Sequence, residues 1–451
     1  MTALLDAAPV ADTTAARPLR AAALRVLFTN WTGTGTVPSR SLYPHQWSWD
    51  SAFIAIGLRH LSPRRAQREL ESLMSAQWAD GRVPHIVFNP CVPAGQYFPG
   101  SDFWRSATAG AAAGAPAAPL TSGIIQPPVH ALAAALVHEA DPAESARRGF
   151  LARLHPRLEA WHRYLAERRD LGGHGLAAVV HPWEPGLDNS PAWDTALHRV
   201  VPAEACSFRR ADLDHSAAAD RPTDLDYARY VRLARDYRDA GYDDTKTEFA
   251  FAVEDPGFNA LLIAAEHALA GIAEQTGADP GPARARAAAL TRALSTRLWN
   301  PDLGMFSARD LHDDTLVPVR GVTGLLPLIV PGLPADQVNA LLEATSGEHF
   351  RLGEVHLVPS YDLTGPEFDP NRYWRGPSWF NTAWMLHRGL RAVGADGAAD
   401  RLRQGILRDA AATGFAEYLD PHTGAGRGVR DFSWTASLAL DLLATGPKEE
   451  R

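Results

Sequence analysis

Four times along this chain a helical stretch ends in an aromatic or charged residue, passes through a turn, and continues as a short extended piece. The four read WADGRVPHIVF (78–88), RRDLGGHGLAAVV (168–180), LWNPDLGMFSA (298–308) and EYLDPHTGAG (417–426). Turn chemistry built on Asp, Asn, Pro and Gly, recurring after helices, predicts helical hairpins whose loops carry short strands. The copies share little sequence, so they are not the signature of a regular solenoid. Helical spacing of apolar residues predicts helices over 65–78, 128–139, 146–168, 258–276, 283–298, 335–344, 381–393 and 434–443. Within 258–276, Leu261, Leu262, Ala265, Leu269 and Ile272 fall on one face, and Pro282 stands at the start of its helix, where a missing N–H does no harm. The class is all-α. Roughly a dozen helices paired this way fit a closed toroid, with an open helical repeat as the competing architecture.

Composition narrows the function classes. The net charge of −8 gives no electrostatic footprint for nucleic acid or an anionic membrane. Cys91 and Cys206 are the only cysteines, too few for a disulfide framework or zinc-ligand spacing. The first residues, MTALLDAAPVADTTAARPLR, lack the basic start and apolar run of a signal peptide, and no stretch approaches the roughly 18 apolar residues of a membrane span. A cytosolic location is the default reading. Residues 1–18 are expected to be a disordered tail and 19–446 one domain. Two low-complexity or polar segments, 106–123 and 209–226, read as long loops, either lids or tolerated insertions.

Four other segments concentrate aromatic and polar residues outside any helical pattern: SLYPHQWSWDSAF (41–53), YFPGSDFW (97–104), HPWEPGLDNSPAWD (181–194) and NRYWRGPSWFNTAW (371–384). They hold Trp47, Trp49, Trp104, Trp183, Trp193, Trp374, Trp379 and Trp384, eight of the thirteen tryptophans, which argues for an aromatic-lined cleft over simple core packing. In 181–194 three prolines and Gly186 rule out a regular helix and predict a loop of fixed shape. Carboxylates accompany the rings: Asp50, Asp102, Glu184, Asp188 and Asp194, with Glu417 in FAEYLDP near the C-terminus. Taken singly, each is a helix cap or turn residue, and Asp188 in GLDNS fits an Asx-turn. Taken together with tryptophans they suit glycoside hydrolysis, which needs two carboxyl groups across the scissile bond, one of them kept protonated by its surroundings. No HExxH, CxxC, GxSxG, dinucleotide-binding or P-loop motif is present, and the seventeen histidines show no metal spacing, so neither cofactor nor metal is expected.

SLYPHQWSWDSAF, HPWEPGLDNSPAWD and YWRGPSWFNTAWML, followed by a late EY and FSWTA, resemble glycoside hydrolase family 63, and within it the bacterial branch that cleaves mannosylglycerate or glucosylglycerate. The resemblance runs from about residue 27 to 445. It implies an (α/α)6 barrel and an inverting mechanism. By the same resemblance Asp188 falls on the general acid and Glu417 on the general base. Asp50 binds the sugar, with further contacts on Tyr43, Trp47, Gln126, Tyr373, Trp374, Gly376 and Trp379. Arg221 and Tyr227 resemble the pair that takes the glycerate carboxylate, and Tyr97 helps form that end of the pocket. A bidentate Arg is the physical solution to binding a carboxylate. This chain has Pro185 and Leu187 where relatives often show Ser and Met, and neither carries chemistry.

The implied reaction is hydrolysis of 2-O-α-glucosylglycerate first and mannosylglycerate second, two sugars that differ at the C2 hydroxyl. The implied partner is this small sugar-glycerate substrate, with a homo-oligomer compatible. An α-glucosidase acting on oligosaccharides predicts a longer cleft with no cation at its far end. A sugar epimerase needs a pair of proton-transfer residues, and a helical scaffold that only binds sugar has no opposed, buried carboxylates. Inversion requires the two carboxyl groups roughly 6.5–9.5 Å apart, with room for a water.

Overall fold

Burial sorts the helices into two kinds. The computed structural model describes residues 16–93, 95–214, 218–245 and 248–445. In chain order the helices are α1 (Ala16–Thr29), α2 (Ser48–Leu58), α3 (Pro63–Ser75), α4 (His130–Ala140), α5 (Phe150–Arg168), α6 (Asp224–Asp239), α7 (Pro256–Thr276), α8 (Gly281–Arg297), α9 (Ala335–Ser346), α10 (Phe380–Ala392), α11 (Asp396–Ala412) and α12 (Ser433–Thr445), with several shorter turns between them. Every residue of α2 is buried, and α7, α10 and α12 are buried around most of their circumference. A helix apolar on all sides belongs inside the molecule. By contrast α3, α8 and α11 bury only a stripe and carry charge on the other face.

The inner elements close a ring. α2 packs on α4, α4 on α7, and α7 on a pair of tight 3-10 turns at Val322–Gly324 and Leu326–Ile329. Those turns pack on α10, α10 on α12, and α12 returns to α2. The last contact decides for a closed barrel over an open repeat. It is made close by Gly57, where a Cβ would sit 2.3 Å from the Ser437 carbonyl oxygen of α12. Helices α1, α3, α5, α8, α9 and α11 complete the outer ring, giving the (α/α)6 barrel.

Residues 1–15 of the expected tail lie outside the described residues, and the last three of it, 16–18, already belong to α1. The helix expected over 146–168 is broken at Gly149, which adopts φ +61° between Pro142–Arg148 and α5. The expected loop 209–226 ends sooner, because Thr223 caps α6 by accepting from Asp226 N–H.

Each of the four helix–turn–extended segments carries at least one two-residue strand. Three such strands lie against the chain where it enters an inner helix. Gln46–Trp47, just before α2, pairs with Ile86–Val87. Ala178–Val179 pairs with Val253–Glu254, just before α7, and Ser378–Trp379, just before α10, pairs with Tyr418–Leu419. The short strands thus gather the aromatic loops at the N-terminal ends of the inner helices. At the far end Asp441 ties three inner helices together, accepting from Arg59 (2.8 Å), His60 and the Trp384 indole (2.8 Å). No helix of the described residues is long and apolar enough to cross a membrane.

Candidate active site

A cavity of about 1040 Å³, counting the solvent in its mouth, opens at the end where the short strands gather. Asp50, Asp188, Glu417 and Arg221 all line it. So do Tyr43, Trp47, Tyr97, Gln126, Tyr227, Tyr373, Trp374 and Trp379, so that distant stretches of sequence converge there. Gly376 does not line it. That residue packs behind the wall, where a Cβ would lie 2.5 Å from the Asp369 carbonyl oxygen.

The loop 181–194 has the fixed shape its prolines imply. Gly186 sits at φ +76°, in a conformation glycine adopts at low cost, and a Cβ there would meet the Trp49 ring at 2.4 Å. The Trp193 indole donates to Leu187 O (2.7 Å), and Tyr230 donates to Asp188 O (2.9 Å). Asn189 accepts from Trp374 N–H (2.9 Å), locking this loop to the 371–384 segment. Glu184 is fully buried and bonds Arg169 bidentately at 2.8 Å. It also accepts from Val180 N–H (2.7 Å) and Ile125 N–H (3.3 Å). Asp194 pairs with Arg375 outside the cavity. Of the three acids on this loop, only Asp188 reaches the cavity.

Asp188 accepts no hydrogen bond from another residue on its carboxyl oxygens among the described residues. Burial raises its pKa to about 7, with Arg221 opposing the shift and Glu417 adding to it. Glu417 differs. It precedes Tyr418, which pairs with Trp379, and both the Tyr43 and Tyr373 hydroxyls donate to its Oε1, at 2.9 and 3.1 Å. Burial raises Glu417 above its ordinary value, with Arg221 and these donors pulling against the shift. Asp50, in the first turn of α2, is driven well above the usual carboxylate range by burial. Chemically, the cavity offers two carboxyl groups whose burial favours the protonated form, Asp50 and Asp188, and a third, Glu417, whose charge two hydroxyl donors and Arg221 favour against burial.

Arg221 is the positive member of this group. It is buried, donates to Tyr43 Oη at 3.0 Å, and lies 4.5 Å from the Tyr373 ring centroid. Its Nε is buried without a hydrogen-bond partner among the described residues. The segment that carries it is braced by Arg210, which bonds Asp212 at 2.9 and 2.8 Å, pairs with Asp224, and stacks 4.3 Å over Tyr227. Tyr227 donates to Phe98 O (3.3 Å), and Tyr97 meets Trp47 edge-on.

Five of the eight segment tryptophans line the cavity: Trp47, Trp49, Trp183, Trp374 and Trp379. Trp374 and Trp379 stack at 3.8 Å. Trp104, Trp193 and Trp384 are core residues whose indoles bond Pro99 O, Leu187 O and Asp441. The cavity also takes His85, Asp212, Phe432 and Trp434, which sequence reasoning did not single out as site residues. His85 lies in one of the helix–turn–strand segments and Trp434 in FSWTA, so each carried a signal of place without a signal of role. Among the described residues no cluster of His, Cys, Asp and Glu is arranged to hold a metal ion.

Comparison with known proteins settles the family. Residues 43–435 match the model of the mannosylglycerate hydrolase MGH1-like glycoside hydrolase domain. The chain belongs to this family. A mannosylglycerate hydrolase from Rubrobacter radiotolerans is 42% identical to it over 435 residues, 95% of this chain and 97% of the relative. A glucosylglycerate hydrolase from Mycolicibacterium hassiacum is 39% identical over 440 residues, 94% of this chain and 97% of the relative. The crystal structure of the family 63 mannosylglycerate hydrolase from Thermus thermophilus in complex with Tris and D-glycerate superposes with a TM-score of 0.85 at 39% identity, covering 94% of this chain and 99% of that one. This family 63 enzyme is an O-glycosyl hydrolase.

Proposed function

We propose that this glycoside hydrolase cleaves the α-glycosidic bond of a sugar-glycerate, glucosylglycerate as lead substrate and mannosylglycerate second, with inversion at the anomeric carbon. The observation that carries the reading is Arg221: a buried guanidinium with an unpaired Nε in the same cavity as Asp188 and Glu417. A buried cation beside the reacting groups suits an anionic aglycone, since a guanidinium binds a carboxylate through charge and paired N–H donors. Relatives named for mannosylglycerate and for glucosylglycerate, and a related structure bound to D-glycerate, support the same class.

In this reading Asp188 enters the reaction protonated and gives its proton to the glycosidic oxygen as the bond to C1 breaks. Glu417, ionised, takes a proton from a water on the opposite face of the ring. That water attacks C1, so the products are free sugar of inverted configuration and glycerate. Asp50 holds the sugar from the first turn of α2, beside Trp47 and Trp374, with Trp379 stacked behind Trp374. Tyr43 and Tyr373 hold Glu417 in place, and Tyr97, Tyr227 and Arg221 take the glycerate. Gln126 spends its carbonyl on Trp49 N–H (3.2 Å), leaving its amide N–H groups for substrate.

Side-by-side hydrolysis of glucosylglycerate, mannosylglycerate and maltose tests the substrate class. The expected outcome is kcat/KM at least about tenfold higher for one or both sugar-glycerates than for maltose. Equal or faster cleavage of maltose would assign the cavity to oligosaccharides.

A further inference from the structure

The cavity contains one more polar side chain that the reaction as written does not use. His85 is 6% exposed, and its Nδ1 is buried without a partner. Its Nε2 makes no hydrogen bond to the protein among the described residues. The backbone on either side is fully engaged: His85 N–H donates to Ile124 O at 2.8 Å, and His85 O accepts from Ser48 N–H at 3.0 Å, at the start of α2. The ring is therefore held in place by its main chain while both of its nitrogens stay open. It stands between two cavity tryptophans, stacked on Trp183 at 6.4 Å and 13° and edge-on to Trp47 at 6.3 Å.

An unpaired polar group in such a place is costly unless something bonds it. Burial, with His181 nearby, depresses the imidazole pKa to about 3, so the ring is neutral and offers one N–H donor and one lone-pair acceptor. A sugar or hydroxyacid hydroxyl is complementary, being itself both donor and acceptor. Of the other cavity hydroxyls, Tyr43 and Tyr373 are turned to Glu417, and the proposed function gives Tyr97 and Tyr227 to the glycerate.

We propose that His85 is a specificity-determining residue that hydrogen-bonds a hydroxyl of the substrate from the wall between Trp47 and Trp183. The inference deepens the proposed function and rests on its placing of substrate in this cavity. A site built to bond a hydroxyl loses far more when the bond cannot form than when only apolar contact is lost.

The test compares His85→Leu and His85→Asn, two side chains with the same branching and number of heavy atoms that differ in hydrogen-bonding capacity, on whichever glycoside of the panel the unaltered enzyme hydrolyses. His85→Leu is expected to lower kcat/KM roughly 10- to 100-fold, and His85→Asn to recover a large part of it. Thermal unfolding of both variants confirms that they fold alike. Monodeoxy analogues then locate the bond: the analogue lacking the partner hydroxyl should be the one on which unaltered enzyme and His85→Leu perform alike. Equal kcat/KM in the Leu and Asn variants, or a Leu variant within about twofold of the unaltered enzyme, would overturn the role. The unaltered enzyme's preference within the panel reports separately on the sugar-glycerate reading.

Discussion

Glu184 and Asp188 lie four residues apart on one rigid loop, yet the protein treats them in opposite ways. Glu184 is enclosed on all sides. Arg169 bonds both its oxygens, two backbone N–H groups add to them, and the pair joins a buried set that includes Arg82, Asp244, Tyr164 and Tyr237. Asp188 opens onto a cavity and, among the described residues, takes no donor from another side chain. Asp50 and Glu417 line the same cavity, and Arg221 offsets Asp188 and Glu417. A carboxylate removed from water is tolerated when it is paired and hydrogen-bonded; left without partners it keeps its proton. The first arrangement sets the loop, and the second leaves a proton available where the loop holds it.

Substitutions that exchange these two situations should separate activity from stability. The largest effect is expected for Asp188→Asn, which should lower kcat roughly 10²-fold or more without lowering the thermal unfolding midpoint. Glu417→Gln should match it in turnover, and retained activity in either variant would remove that residue's role. Glu184→Gln should do the reverse, costing about 3 kcal/mol of stability by leaving Arg169 partly uncompensated, as read from denaturant unfolding. A Glu184→Gln variant as stable as the parent would mean that the pair does not set the loop. Arg221→Lys keeps the charge but loses the planar fork, and should lower kcat/KM about tenfold on a sugar-glycerate and much less on maltose. An equal loss on both substrates would detach Arg221 from the aglycone.

The pH dependence sharpens the same comparison. With its pKa raised from 3.8 to about 7 in the folded state, Asp188 holds a proton that the unfolded chain has released. Its contribution to stability is therefore greatest below about pH 4, declines as pH rises toward 7, and is level above that. Asp188→Asn should flatten that part of the stability profile. In the unaltered enzyme kcat/KM should fall above about pH 7, as the donor loses its proton.

The barrel was legible in the recurring helix–turn–extended segments, and the candidate site residues other than Gly376 meet in one cavity. Asp50 and Asp188 were legible as cavity residues because Pro, Gly and Trp around acids mark irregular, aromatic loops, whereas Arg221 came only from the family resemblance, which also linked Asp188 to Glu417 across the distance between them in the chain. The tryptophans were only partly legible. Trp193 bonds its own loop and Trp384 the base of the barrel, while Trp183 and Trp379 line the cavity, and nothing local in the sequence separates a packed indole from an open one. Helix α2 was hidden inside an aromatic segment because every one of its residues is buried, which erases the alternation of faces that marks a helix. The fourth inner element was hidden for a related reason: Val322–Gly324 and Leu326–Ile329 are single turns, too short to show a period. His85 and Asp212 could not be read as site residues, since their place depends on which loops meet.

The central claim is that Asp188 and Glu417 act from opposite faces of the sugar, and the configuration of the first product tests it most directly. Proton NMR during cleavage of an α-glucosylglycerate should show β-glucose first, with the α anomer growing only as mutarotation proceeds. α-Glucose appearing first would contradict it, and would mean that water arrives on the face from which the glycerate departs.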